Sequence, residues 1–142
     1  MNSMNDKTFV DTNVLVYAHD RDAGIKNRTA REVVEGLWET RRGAVSTQVL
    51  QELYVTLTRK IPFPLEKPLA RRIVSNYLNW EVAVNDGAVV LQASEIEERN
   101  NLSFWDAMIV AAAYNLNAAV LLTEDLNDGQ KIEGIAVRNP LT

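Results

Sequence analysis

The chain has no cysteine and a single histidine among its 142 residues. Disulfides, thiolate metal sites and a cysteine nucleophile are therefore excluded, and a softer metal would find few ligands. Oxygen donors remain. No apolar run reaches the roughly 20 residues of a membrane span, and the start "MNSMNDKTFV" lacks a basic segment followed by an apolar one. These absences predict a cytoplasmic protein with no membrane partner, in a compartment that is allowed to be reducing. There is no glycine-rich phosphate loop, dinucleotide fingerprint or nucleophilic-serine motif. Internal repeats, low-complexity tracts and linker-like segments are also missing, so a single domain over residues 1–142 is expected.

What is present is an ordinary globular composition, 46% hydrophobic and 24% charged, enough for one real core. The net charge of -4 argues against a generally basic coat for nucleic acid, but the charges are unevenly spread. From Arg21 to Arg72 eleven Lys or Arg face six acids, a local balance of +5. The remainder is correspondingly acidic. Any one of these cations is ordinary solvated helix surface. As a group they form a basic flank able to draw phosphates toward an acidic site, with Arg71 and Arg72 as the pair to test.

Strands and helices alternate. "TFV" before Asp11 reads as a buried strand and "NVLVYAH" as a short helix. Lys26 to Thr40 is an amphipathic helix with Ala30, Val33, Val34, Leu37 and Trp38 on one face, stopped by Gly43. "AVS" at Ala44 to Ser46 is a second strand, and Thr47 to Arg59 a helix striped by Val49, Leu50, Leu53 and Leu57. "IPFPLEKP" interrupts before a helix from Glu66 to Asn79. "EVAV" is a possible strand, Asp86 to Arg99 a capped helix, and Phe104 to Asn117 a helix apolar nearly all round, hence buried. "AAVLLT" is a fully buried strand and Ile135 to Val137 a last short one. This alternation predicts an α/β fold with a mostly parallel sheet.

In such a sheet, helix N-termini and strand C-termini share one edge, where ligands bind. Asp11 follows the first strand, Glu52 lies in the second turn of its helix, Asp106 in the first turn of another, and Asp125 two residues past "AAVLLT". Each has a plain structural explanation. Asp106 with Ser103 fits an S-x-x-D capping box, Asp11 and Asp125 fit caps, and Glu52 fits a solvated helix face. Together they are harder to dismiss. Like charges gathered on one partly buried rim shift toward neutrality unless a divalent cation holds them. Carboxylate ligands favour Mg²⁺ or Mn²⁺, which suits phosphate-ester hydrolysis. His19 reads as a helix-end residue rather than a ligand.

Four segments, "FVDTNVLVYAHD", "STQVLQELYVTLTRK", "LSFWDAMIVAAA" and "LLTEDLNDG", in this order and spacing resemble the PIN-domain ribonucleases, and within them the VapC-type toxins of toxin–antitoxin pairs. The resemblance covers almost the whole chain. It implies a three-layer α/β/α sandwich and a metal-dependent endoribonuclease whose acidic quartet falls on Asp11, Glu52, Asp106 and Asp125. It further implies supporting roles for Asn13 and Thr123, an RNA substrate, a homodimer, and a VapB-like antitoxin that occupies the acidic groove. Glu124 and Asp128 sit near the same rim, and the sequence leaves open whether either assists. Two other readings compete: a catalytically silent RNA- or protein-binding module, and a phosphatase of the haloacid dehalogenase type. The latter wants D-x-D, where "DTN" puts Asn13 and no proton donor.

Overall fold

The computed structural model describes residues 6–142. Six strands, β1 (Thr8–Val10), β2 (Gly43–Ser46), β3 (Glu81–Ala83), β4 (Val120–Leu122), β5 (Lys131–Ile132) and β6 (Ile135–Arg138), form one sheet in the order β3-β2-β1-β4-β6-β5. All neighbours are parallel except β5 and β6. Between β1 and β3 the chain carries α1 (Thr12–His19), a single 3₁₀ turn (Arg21–Ala23), α2 (Ile25–Thr40), α3 (Thr47–Arg59) and α4 (Lys67–Tyr77). It then carries α5 (Gly87–Asn100) and α6 (Phe104–Asn115) before β4. The strands step outward from β1 to β3 and then return past β1 to β4. Because parallel crossovers are right-handed, that reversal places α5 and α6 on the face opposite α1–α4. This is the expected α/β/α arrangement, and the gap between β1 and β4 is the switch point at which such sheets open a crevice.

The central strands are largely apolar because both their faces are covered. Phe9, Val10, Val45, Leu121 and Val137 have no exposed surface, as parallel strands between two helical layers require. The apolar stripe expected on α3 is wholly buried at Val49, Leu50, Leu53 and Leu57. α6 is buried continuously from Ala107 to Ala113. Its small residues let it lie close to β2 and α5, while Trp105 and Tyr114 at its two ends stay exposed.

Several boundaries differ from expectation. α2 is ended by Arg41 in the left-handed conformation, φ 60°, not by Gly43. Gly43 instead opens β2, and a Cβ there would lie 2.6 Å from the Trp80 indole, so the glycine is fixed by close approach of a ring. α6 stops at Asn115, two residues early, where Leu116 caps it and Asn117 turns left-handed at φ 58°. α4 is shorter at both ends than Glu66 to Asn79, with Pro68 in its first turn. Val120 is only half-buried. Unforeseen was β5, which pairs antiparallel with β6 around Glu133 and Gly134, both at positive φ. That geometry belongs to a two-residue hairpin turn, and Glu133 is held in it by Arg99 at 2.8 Å and Asn100 at 2.9 Å.

Candidate active site

Asp11 leaves β1 and immediately caps α1, its Oδ1 accepting from the Thr12 N–H at 2.7 Å. The residue is only 6% exposed. Its Oδ2 accepts from the Thr123 hydroxyl at 2.9 Å, and the same hydroxyl oxygen accepts from the Asp125 N–H at 3.1 Å. Thr123, fully buried at the end of β4, thus ties together the two strand ends that bound the crevice. Asn13 adds a second tie: its Oδ1 accepts from the Glu124 N–H at 3.3 Å. Because Asn13 is committed to this backbone contact and carries no acidic proton, it cannot serve as the general acid a D-x-D phosphatase needs.

Glu52 and Asp106 arrive on helices. Glu52 is exposed, and its Oε1 accepts from the Thr12 hydroxyl at 2.8 Å across to α1. Thr12 is the supporting residue that sequence reasoning missed; the signal was a hydroxyl placed directly between Asp11 and Asn13. At α6 the Ser103 hydroxyl accepts from the Asp106 N–H at 3.1 Å. The hydroxyl does the capping, and the half-buried Asp106 carboxylate lines the cleft. Asp11, Glu52, Asp106 and Asp125, from four separate stretches, all border one cleft of about 660 Å³.

The electrostatics are those of crowded acids. Burial pushes the Asp11 carboxyl up to about 6 from an ordinary 3.8; hydrogen bonds from Thr123 and Thr12 oppose this, and the charges of Asp125 and Glu52 add to it. Asp125 is also raised, first by partial burial and then by Asp106, against a lowering influence of Asn13. The Asn13 amide nitrogen is itself buried with no well-formed acceptor, close enough to Asp125 to favour its charged form yet not fully bonded to it. A crowded set of carboxylate oxygens whose mutual repulsion and burial oppose their ionisation fits a hard cation. The fit lies in donor type and placement. Among the described residues no three acidic or histidine side chains stand close enough to cage an ion already.

The neighbouring acids are otherwise engaged. Glu124 accepts from Tyr17 at 3.1 Å and pairs with Lys26 at 2.6 Å, clamping the loop after β4 onto α1 and α2. Asp128 accepts from the Asn139 N–H at 3.0 Å, away from the acids. Arg71 and Arg72 are exposed on α4 and do not line the cleft, whose own cation is Lys60. His19 ends α1 as expected and is bonded to Tyr77.

With this geometry in place, comparison with known proteins places the chain. No curated protein sequence matches it. Among solved structures, a toxin–antitoxin complex from Klebsiella pneumoniae superposes with a TM-score of 0.69 at 20% identity, covering 94% of this chain and 98% of that one. A DNA-bound VapBC from Salmonella typhimurium gives 0.65 at 22% identity, covering 95% and 98%. VapC20 of Mycobacterium tuberculosis, a toxin that cleaves the sarcin-ricin loop, gives 0.62 at 20% identity, covering 81% and 87%. These establish a shared fold. The PIN domain model matches residues 8–130, a span that contains all four acids and both strand ends of the crevice, and the chain belongs to the PIN domain family.

Proposed function

We propose that this protein is a divalent-metal-dependent endoribonuclease that hydrolyses RNA phosphodiester bonds, and that it is the toxin of a toxin–antitoxin pair. The observation that carries the reading is Asp11. A Ser or Asn would cap α1 equally well, yet the chain buries a carboxyl there at a cost, and surrounds it with Glu52, Asp106 and Asp125 on one cleft. A buried carboxyl that costs stability where a neutral cap would serve points to chemistry.

The four acids would hold Mg²⁺ or Mn²⁺, which supplies Lewis acidity and a more acidic bound water. The chain supplies position. Thr123 fixes Asp11 and the backbone of Asp125 relative to each other, Thr12 fixes Glu52, and Asp106 is set by the rigid first turn of α6. The exposed Glu52 and the half-buried Asp106 line the same cleft, where they would orient the attacking water. The PIN domain match and the VapC-like fold support RNA as the substrate and a VapB-like antitoxin as the partner; a homodimeric state and a cytoplasmic location belong to the same proposal.

The test uses purified, antitoxin-free protein and total RNA. Cleavage should require Mg²⁺ or Mn²⁺ and stop in chelator. Absence of any cleavage with either metal, or unchanged cleavage in Asp11→Asn, overturns the assignment.

A further inference from the structure

The cleft has two ends, and α3 is its ruler. Gln48, Gln51, Glu52, Val55, Thr56 and Lys60 all line it, spaced as one face of a helix. At 1.5 Å per residue, Gln48 and Lys60 lie roughly 18 Å apart along the axis. Glu52 falls between them, beside the other acids. At the Lys60 end, Lys60 is exposed and takes part in none of the ion pairs seen among the described residues. At the Gln48 end stands Trp105, next to Asp106.

Trp105 is 64% exposed, although α6 beyond it is the most deeply buried helix of the molecule. Burying that indole would be worth a few kcal/mol, and the fold leaves it out. Phe104 meets it in a T-shaped contact with ring centroids 5.4 Å apart at 75°, and the Gln48 amide reaches the Trp105 backbone carbonyl at 3.5 Å. An exposed aromatic face at the lip of an acidic cleft is the element on which unpaired bases stack, and a free ammonium further along is what a backbone phosphate seeks.

We propose that Trp105 is a specificity-determining residue: single-stranded RNA lies along α3 with one base stacked on the Trp105 indole beside the scissile phosphate and a more distant phosphate on Lys60. The inference rests on the ribonuclease reading. It adds a strand path and a preference for unpaired, stackable bases at one position.

The experiment compares two fluorescein-labelled 12-mers, oligoadenylate and a fully abasic ribose-phosphate chain of equal charge, binding to Asp11→Asn protein so that neither is cut. Anisotropy should show oligoadenylate bound more tightly, and Trp105→Ala should weaken it by roughly 5- to 100-fold while leaving the abasic chain unchanged. Trp105→Phe should retain most of the preference. Lys60→Gln should weaken both probes alike and reduce the salt dependence by about one phosphate contact. Equal losses on both probes in Trp105→Ala, or none, overturn the stacking role. So does a change in oligomeric mass in Trp105→Ala with RNA affinity intact. If the parent protein binds neither probe, the ribonuclease reading itself fails, which separates that result from a failure of the platform.

Discussion

The two ends of α1 each hold a titratable side chain away from water, and their surroundings treat them differently. At the N-terminus, burial raises Asp11; at the C-terminus, burial lowers His19, so both are pushed toward their neutral forms. Nearby charges act in the same sense, Asp125 and Glu52 on the acid and Arg31 on the imidazole. The hydrogen bonds separate them. His19 Nε2 pairs with the Tyr77 hydroxyl at 2.8 Å, and Tyr77 packs against both Trp38 and Trp80, so a neutral imidazole is satisfied within an aromatic junction. Asp11 instead receives two donors that favour its charged form against the burial that opposes it. Burial alone does not mark a functional group. A conflict between burial and hydrogen bonding, left unresolved by the fold, does.

The largest test of this contrast is catalytic. Asp11→Asn should reduce metal-dependent RNA cleavage on the order of a thousand-fold or more, as removal of a core catalytic group does, whereas His19→Gln should leave the rate near that of the parent. Comparable losses in both would mean that α1 works as one unit and that its ends have no separate roles.

Stability should then run the other way. Asp11 has a folded-state pKa near 6 against 3.8, so between these values the folded chain holds a proton that the unfolded chain has released. Its contribution is greatest at low pH and is lost as pH rises from about 4 to 6, by ~3 kcal/mol in metal-free protein. Asp11→Asn should abolish that loss and, in chelator near pH 7, melt at a higher temperature than the parent. A lower melting temperature would show that Asp11 stabilises the metal-free fold as a cap. His19 has the opposite sign. Its depressed pKa means that the unfolded chain takes up a proton first as pH falls through about 6.5, so stability declines on acidification, and His19→Gln should remove that decline.

Much of this was legible in the sequence, for identifiable reasons. The α3 stripe, the buried α6 and the caps at Asp86 and Ser103 follow from periodicity and local hydrogen bonding, which act over a few residues. The four acids could be placed at one edge because topology, not side-chain detail, brings strand ends and helix starts together. Three things were hidden because they depend on distant partners. The glycine at 43 read as a helix stop, since nothing local announces that Trp80, far along the chain, needs its face. The β5 hairpin rests on only two residues of strand and on Arg99 holding Glu133. Whether Glu124 assists the site stayed open in the sequence, because Lys26 and Tyr17, which claim it, lie about a hundred residues away.

Packing at the aromatic junction gives the next smaller effect. Gly43→Ala would drive a methyl group into the Trp80 ring system, 2.6 Å from its nearest carbons, and neighbouring Tyr77 and Trp38 leave that indole little room to give. A cost of about 1–3 kcal/mol is expected, measured by chemical denaturation. A neutral substitution would show the junction to be looser than the acid cleft rather than tighter.

The finest test removes one oxygen. Tyr77→Phe keeps the ring that packs against Trp38 and Trp80 but leaves His19 Nε2 without its partner, at a cost of about 1 kcal/mol. Burial and Arg31, which depress His19, are left in place, so the fall in stability on acidification should persist as in the parent. α1 spans 8 residues, about 12 Å, so the acid cleft should not feel the change: cleavage with saturating metal should match the parent after correction for folded fraction. If cleavage instead drops together with stability, the aromatic junction sets the position of Asp11 through α1, and the two ends are mechanically joined despite their different electrostatics.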